Sequence, residues 1–267
     1  MSGRLSGVGG WLLYIVVAAM MIFILAPLLI VVAMSVSDSY FVSFPPHGFT
    51  LSWYAKVLQD RDFLDALQLS TFLAFGATAV SMTLGIPAAF ALTREEFPGR
   101  FLLKELVLSP LIFPALVTGL ALLQLLSKLG SGDARLNLLI GHVVVTAPYV
   151  IRTAVTSLQL VDANLEDAAR TLGAGRLRTF WRVTLPQIAP GVAAGGLFAF
   201  MVSFDNYPVS MWLADSQYSP IPLVLMRQLV MVFDPSVPAM STIVIVLALV
   251  GVLLLERLVG LRRAVAL

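Results

Sequence analysis

An all-α integral membrane protein with six transmembrane helices is the fold class this sequence predicts, on three observations. First, 59% of the 267 residues are hydrophobic and only 12% charged, with mean hydropathy +0.93, whereas soluble domains carry about a quarter charged residues. Second, six apolar runs reach the length of about 20 residues that a spanning helix needs. Third, one polar, amphipathic stretch at 162–186 interrupts those runs and is built differently from a plain loop.

The first run, 11–35, exceeds the 7–15 apolar residues of a signal peptide and reads as an uncleaved anchor. An outside loop at 37–65 follows, with Pro45 and Pro46. Within it an amphipathic run, 51–67, carries Trp53 and Tyr54 where an aromatic belt would lie along the outer face. The second run is 66–92 and the third is 106–126, which Pro110 and Pro114 should kink, freeing carbonyls that neighbours or a cavity must satisfy. The fourth, 136–158, contains His142, Pro148 and Arg152, whose head should snorkel toward the cytoplasmic face. A histidine on an apolar face is more often a satisfied core residue than a ligand. The fifth, 188–213, opens on Gly191, Gly195 and Gly196, small residues that allow close helix approach, either to a partner or within the chain. The sixth is 237–255. The expected organisation is an anchor span and outside loop at 1–65, a core of five spans at 66–258, and a tail at 259–267.

Orientation follows from Lys and Arg. With the N-terminus inside, 12 fall at cytoplasmic or cytoplasm-proximal positions, among them Arg4, Arg94, Arg100, Arg170, Arg176, Arg178, Arg182, Arg262 and Arg263. Five fall outside: Lys56, Arg61, Lys128, Arg135 and Arg227. Both termini and the 162–186 insert are therefore expected in the cytoplasm. The charge balance indicates no nucleic-acid surface, and the absence of cysteine excludes disulfides, thiol nucleophiles and thiolate metal sites.

The insert reads as two short helices. Asn164 is positioned to cap the first, with Asp167 as the reciprocal carboxylate. Leu165, Ala168, Ala169 and Leu172 share one face. Gly173 should stop the helix, because glycine adopts the left-handed conformation without a steric penalty. Leu177, Phe180 and Trp181 make a second apolar stripe, and Pro186 should close the insert. Helices this short depend on docking for stability, so the insert reads as a plug for a partner.

Asp167-Ala168-Ala169, then Gly173, then Val183 with Leu185 and Pro186, reproduce the spacing of a loop in another group of proteins. That loop belongs to the permease subunits of binding-protein-dependent ABC importers, and the sequence resembles that family from about 51 to 257. Asp stands for the family's Glu and Val for its Ile. Ser70, Gly85, Ala88, Ala89, Thr93-Arg94, Phe97 through Arg100, Leu108 through Gly119, and His142 through Arg152 extend the likeness. The resemblance implies a type I importer permease core whose cytoplasmic coupling helices sit in a groove of an ATPase. The implied coupling residues are Asp167, Ala168, Ala169, Gly173, Phe180, Leu185 and Pro186. The implied partners are two copies of that ATPase, a second homologous permease (or a second copy of this chain), a periplasmic substrate-binding protein and the lipid bilayer.

No cofactor is expected in this chain. A P-loop needs Gly-Lys-Ser/Thr, but Lys56, Lys104 and Lys128 follow Ala, Leu and Ser. ATP and Mg would be bound by the ATPase, and the chain itself is not expected to be an enzyme. The one acid within an apolar span is Asp205, about 25 Å along from Ile188 at 1.5 Å per residue. An ionised group in hydrocarbon costs about 2.5–3.5 kcal/mol on insertion scales, so it should face a cavity or a partner. With Asn206, Tyr207, Phe204 and Trp212 it offers carboxylate and aromatic faces suited to a cation, or else it pairs within the bundle. Ser203-Phe204-Asp205-Asn206 resembles the putrescine/spermidine branch of these permeases, which implies a polyamine cargo; branches carrying ferric iron, thiamine or phosphonates share the scaffold, and a non-transporting membrane scaffold is the remaining alternative. Gly130-Ser131-Gly132-Asp133 also fits the Gly-x-Gly-Asp signature of intramembrane aspartyl proteases. Those enzymes need a second aspartate in a neighbouring span, and here Asp133 is expected in an outside turn.

Overall fold

A computed structural model describes residues 8–40, 44–232 and 234–259. Among them the regular structure is helical throughout: α1 (Val8–Met34), α2 (Ser52–Val57), α3 (Arg61–Arg94), α4 (Arg100–Leu108), α5 (Ala115–Lys128), α6 (Ala134–Leu160), α7 (Ala163–Thr171), α8 (Arg176–Thr179), α9 (Leu185–Phe204), α10 (Tyr207–Leu213), α11 (Ile221–Arg227) and α12 (Val237–Val259). Arg4, Arg262 and Arg263, which entered the orientation argument, lie outside the described residues, as does the tail beyond 259.

Four helices are long and apolar enough to cross a membrane, or five if one bent pair counts as a span; six are not reached among the described residues. The first, second and fourth expected spans correspond to α1, α3 and α6, with ends displaced by one to a few residues. The third is broken. Arg100–Leu111 and Ala115–Lys128 meet at 107°, with Pro110 inside a 3-10 turn and Pro114 in an extended conformation ahead of α5. Proline disfavours the α region for its predecessor and has no N–H for a helical bond, so the break falls where Pro110 and Pro114 come four residues apart.

The fifth span also differs from expectation. It does not begin at 188 but runs without a stop from Arg176 to Phe204, then halts at Asp205 before α10 starts at Tyr207. Pro208 explains the halt: its ring would clash with the carbonyl four residues back, at Phe204, and it has no N–H to donate there. The run 51–67 is likewise not continuous, because α2 ends at Val57 and α3 begins at Arg61.

The helices fall into two compact units. One holds described residues up to Arg61 together with 227–246. Every side chain from Trp11 to Ile24 on α1 is exposed, which suits a helix bathed in hydrocarbon. After it, Asp38 N–H donates to the His47 carbonyl at 2.7 Å, and Trp53 Nε1 donates to the Ser37 carbonyl at 2.9 Å. Lys56 Nζ pairs with the Asp234 carboxylate at 2.9 Å. Partial burial pushes that carboxyl up, but the Lys56 ammonium and the Ser236 backbone and hydroxyl donors outweigh it and hold the group below its ordinary value.

The other unit, described residues 62–226 with 247–259, carries two apolar clusters. Ala89, Leu92, Ile151, Ala154, Leu158, Ile188 and Val192 join α3, α6 and α9. Leu69, Leu73, Leu126, Leu138, Val145, Val209 and Leu213 join α3, α5, α6 and α10. Lipid is as apolar as leucine, so association of such helices rests on close packing rather than on escape from water. The small residues of α9 serve that purpose within the chain. A Cβ on Gly195 would lie 3.1 Å from the Val150 Cα and collide with the Thr153 hydroxyl, and one on Gly191 would run into Ser157. Their partner is α6.

Replacing Gly195 by Leu should therefore part α6 from α9. Overpacking of this kind costs about 1–3 kcal/mol, so the detergent-solubilised variant should melt several degrees lower. Gly132→Ala, where a Cβ meets open space, should melt like the wild type; equal melting of both variants would refute the close approach.

Candidate functional site: the coupling insert and the break at Asp205

The insert joins the end of α6 to the start of α9. Its first helix is capped by Asp162, not Asn164: Asp162 is extended and its Oδ1 accepts from the Asn164 N–H at 3.0 Å. Asn164 is already inside the first turn. Asp167 therefore closes no capping box; it stands exposed, 3.8 Å from Arg170. Gly173 ends the helix as expected, with φ +85°. The Gly173 N–H donates to the Arg170 carbonyl at 2.9 Å and the Ala174 N–H to the Ala169 carbonyl at 3.0 Å, the pair of bonds that satisfies orphan carbonyls at a glycine stop.

The second stripe is not a separate helix closed by Pro186. α8 passes through a π-turn, Phe180–Thr184, into α9, with Pro186 in the first turn of α9. A proline at 186 cannot donate to the Arg182 carbonyl, and a wider turn at that point lets the helix continue past the missing bond. Of the apolar residues, Leu165, Leu177, Leu172 (89% exposed) and Trp181 (59% exposed) point outward, and Ala168 and Pro186 are exposed as well. Phe180 turns inward and packs edge-on to Phe90 at 5.5 Å. Leu185 is half-buried against the cluster of α3, α6 and α9.

Sequence reasoning missed Glu166. It is the buried residue of α7, 3% exposed, and its Oε1 lies 3.2 Å from Arg94 Nε and 3.1 Å from Thr184 Oγ1. The available signal was an arginine at the end of the second span, on the side of the membrane that the insert was expected to occupy.

The second place of interest is the break between α9 and α10. Asp205 is exposed there and makes no ion pair among the described residues. Asn206 points the other way: it is buried, and its Oδ1 accepts from the Val209 N–H at 3.0 Å, capping α10. Phe204 stacks on Phe200 with centroids 5.8 Å apart, and Phe200 meets Phe75 edge-on at 5.0 Å. Tyr207 is half-buried. Trp212 is set apart against Gly119 of α5, where a Cβ would lie 2.9 Å from its ring and 3.0 Å from the Val209 Cα.

His142 is a core residue that bridges the break. Its Nδ1 is 2.7 Å from Ser203 Oγ on α9 and its Nε2 is 3.1 Å from Ser210 Oγ on α10. Asp133 caps α6, accepting from the Leu136 N–H at 3.1 Å, which is ordinary turn chemistry and accounts for that aspartate without a protease.

Helices long and apolar enough to cross a membrane, with an insert whose apolar side chains are left exposed, fit the permease class of transport proteins. The chain belongs to the family described as the binding-protein-dependent transport system inner membrane component, which matches residues 2–262. It is 30% identical over 227 residues to the spermidine/putrescine transport system permease protein PotC of Escherichia coli (strain K12), covering 85% of this chain and 86% of that one. To the putrescine transport system permease protein PotI of the same organism it is 29% identical over 230 residues, covering 84% and 82%. Its fold matches a chain from a bacterial ABC transporter involved in the import of the acidic polysaccharide alginate, with TM-score 0.74 at 20% identity, covering 97% and 98%. The chain is thus a multi-pass inner-membrane permease of a binding-protein-dependent ABC importer, of the branch that contains the polyamine permeases.

Removing the imidazole strands two hydroxyls in hydrocarbon. His142→Leu should destabilise the protein by about 1–3 kcal/mol, the penalty of unsatisfied buried polar groups, and lower its melting temperature in detergent. Ser203→Ala, which strands one ring nitrogen only, should lower it less; a wild-type melt for His142→Leu would show that the bridge contributes nothing.

Proposed function

We propose that this chain forms half of the translocation pathway of an ATP-driven importer whose cargo is a polyamine of the putrescine/spermidine kind. The observation that carries the cargo reading is Asp205: an exposed carboxylate without an ion pair among the described residues, at a helix break, beside stacked Phe200 and Phe204. A carboxylate in hydrocarbon is costly unless it faces water or a cation. Aromatic faces attract ammonium groups by about 0.5–2 kcal/mol, so a flexible chain of amines separated by methylenes suits both features. The likeness to PotC and PotI, whose names specify spermidine and putrescine, supports the same cargo.

Six spans complete the arrangement, with the bent pair as the third and α12 as the sixth. The 23 residues of α12 extend about 35 Å at 1.5 Å per residue, enough to cross. Lys and Arg distribution places both termini and the insert in the cytoplasm. The exposed Leu165, Leu172, Leu177 and Trp181 then form the docking face for one of two ATPase subunits, and a periplasmic binding protein delivers cargo from the other side to this permease and a homologous second one. ATP bound with Mg by the ATPases drives their closure, which moves the insert, rocks the spans and exposes the pathway outward.

Two variants in proteoliposomes containing the ATPase and binding protein test the two parts. Gly173→Asp forces a side chain into φ +85° and adds a charge at the elbow; uptake should fall at least about tenfold, equivalent to 1.4 kcal/mol, with loss of ATPase copurification. Normal uptake would remove the insert from the coupling path. Asp205→Asn should cut putrescine uptake by about tenfold while the ATPase still copurifies. Unchanged putrescine uptake would assign Asp205 to another role.

A further inference from the structure

Glu166 sits beside the exposed Asp167 yet faces the opposite way, and nothing in the docking scheme uses it. Its side chain is buried, and so is Thr184. Through Oε1 it is held by Arg94 Nε at 3.2 Å and Thr184 Oγ1 at 3.1 Å, while Arg94 Nη2 also donates to the Val161 carbonyl at 3.3 Å. Four elements therefore meet at this one ion pair: the last residue of α3, the residue after α6 (through Arg94), the middle of α7 and the π-turn that enters α9. Just beside it, Phe90 of α3 packs edge-on to Phe180 of the same π-turn.

We infer that the Arg94–Glu166–Thr184 junction is the rigid link that makes α7 move as one body with the ends of α3 and α9, and that Glu166 is a positioning residue for energy coupling; this rests on the coupling reading of the insert. A helix of nine residues is marginal by itself, and a push on its outer face is absorbed by fraying or sliding unless the inner face is tied down. Among the described residues the other ion pair between the insert and the chain at the end of α3 is Arg176–Glu95 at 3.6 Å, largely exposed; such pairs hold little. A buried pair is different in kind. Its net contribution to stability is small, because desolvation offsets attraction, but it holds its partners in one geometry. On α7 the clamp residue Glu166 is buried while Leu165 and Leu172 are exposed, so clamp and docking face are separable by mutation.

The experiment measures putrescine taken up per ATP hydrolysed in proteoliposomes containing the ATPase and binding protein, together with ATPase copurification. Glu166→Ala removes both bonds and should lower the ratio at least about fivefold, the lower end of coupling free energies between sites, with the ATPase still bound. Thr184→Val removes one bond and should lower it less, while Thr184→Ser, which keeps the hydroxyl, should retain the wild-type ratio. If Glu166→Ala does not insert stably, Thr184→Val against Thr184→Ser carries the test alone. A wild-type ratio in the folded Glu166→Ala or Thr184→Val protein overturns the inference, including the case where only the melting temperature falls. Failure of the coupling reading registers separately, as ATPase capture and uptake that are indifferent to Gly173→Asp.

Discussion

The close approach of α6 and α9 is the constraint on which the rest of this structure depends. Without water between helices there is no hydrophobic force to press them together, so contact area and backbone proximity decide whether they associate. Gly191 and Gly195 let α9 lie directly on Val150, Thr153 and Ser157 of α6. These are the two helices that flank the insert. Where the end of α6 and the start of α9 run fixes where α7 and α8 sit, and where α9 ends fixes the position of the break at Asp205. One seam thus positions both the insert and the break.

Most polar groups near the break are paired or cap a helix end, while the buried Thr78 Oγ1 and Trp212 Nε1 have no hydrogen-bond partner among the described residues. Ser81 and Thr146 share a hydrogen bond at 2.9 Å, and Thr146 also donates back to the His142 carbonyl at 2.7 Å. His142 takes up both serines beside the break, and Asn206 caps the helix that restarts there. Asp205, between Ser203 and Asn206, is left exposed. In a medium where an unsatisfied charge is costly, that contrast separates it from its neighbours more sharply than its sequence context does.

The same logic divides the two adjacent acids of the insert. Asp167 matches the resemblance in spacing, yet Glu166 is the one tied into the bundle. A short helix with one face outward and one face clamped has the two properties a coupling element needs: a surface for a partner and a fixed attachment to the spans. The apolar residues left outward on α7 and α8, and the turn of Phe180 toward Phe90, fit that division.

By itself the sequence determined the class of protein, the approximate place of α1, α3 and α6, the two-helix insert and its stop at Gly173. These depend on local causes: the length of an apolar run, the proline at a kink, the left-handed conformation that glycine tolerates. It marked Asp205 as unusual for the same reason. Only the tertiary structure decided that Asp162 rather than Asn164 caps α7, that α8 continues into α9, that the third span bends by 107°, that Asn206 turns inward, and that Gly191 and Gly195 face α6. It also decided the partners of Glu166, which are 72 and 18 residues away. Pairings across such separations are set by how helices pack against one another, and no pattern within a single helix encodes which neighbour will be there.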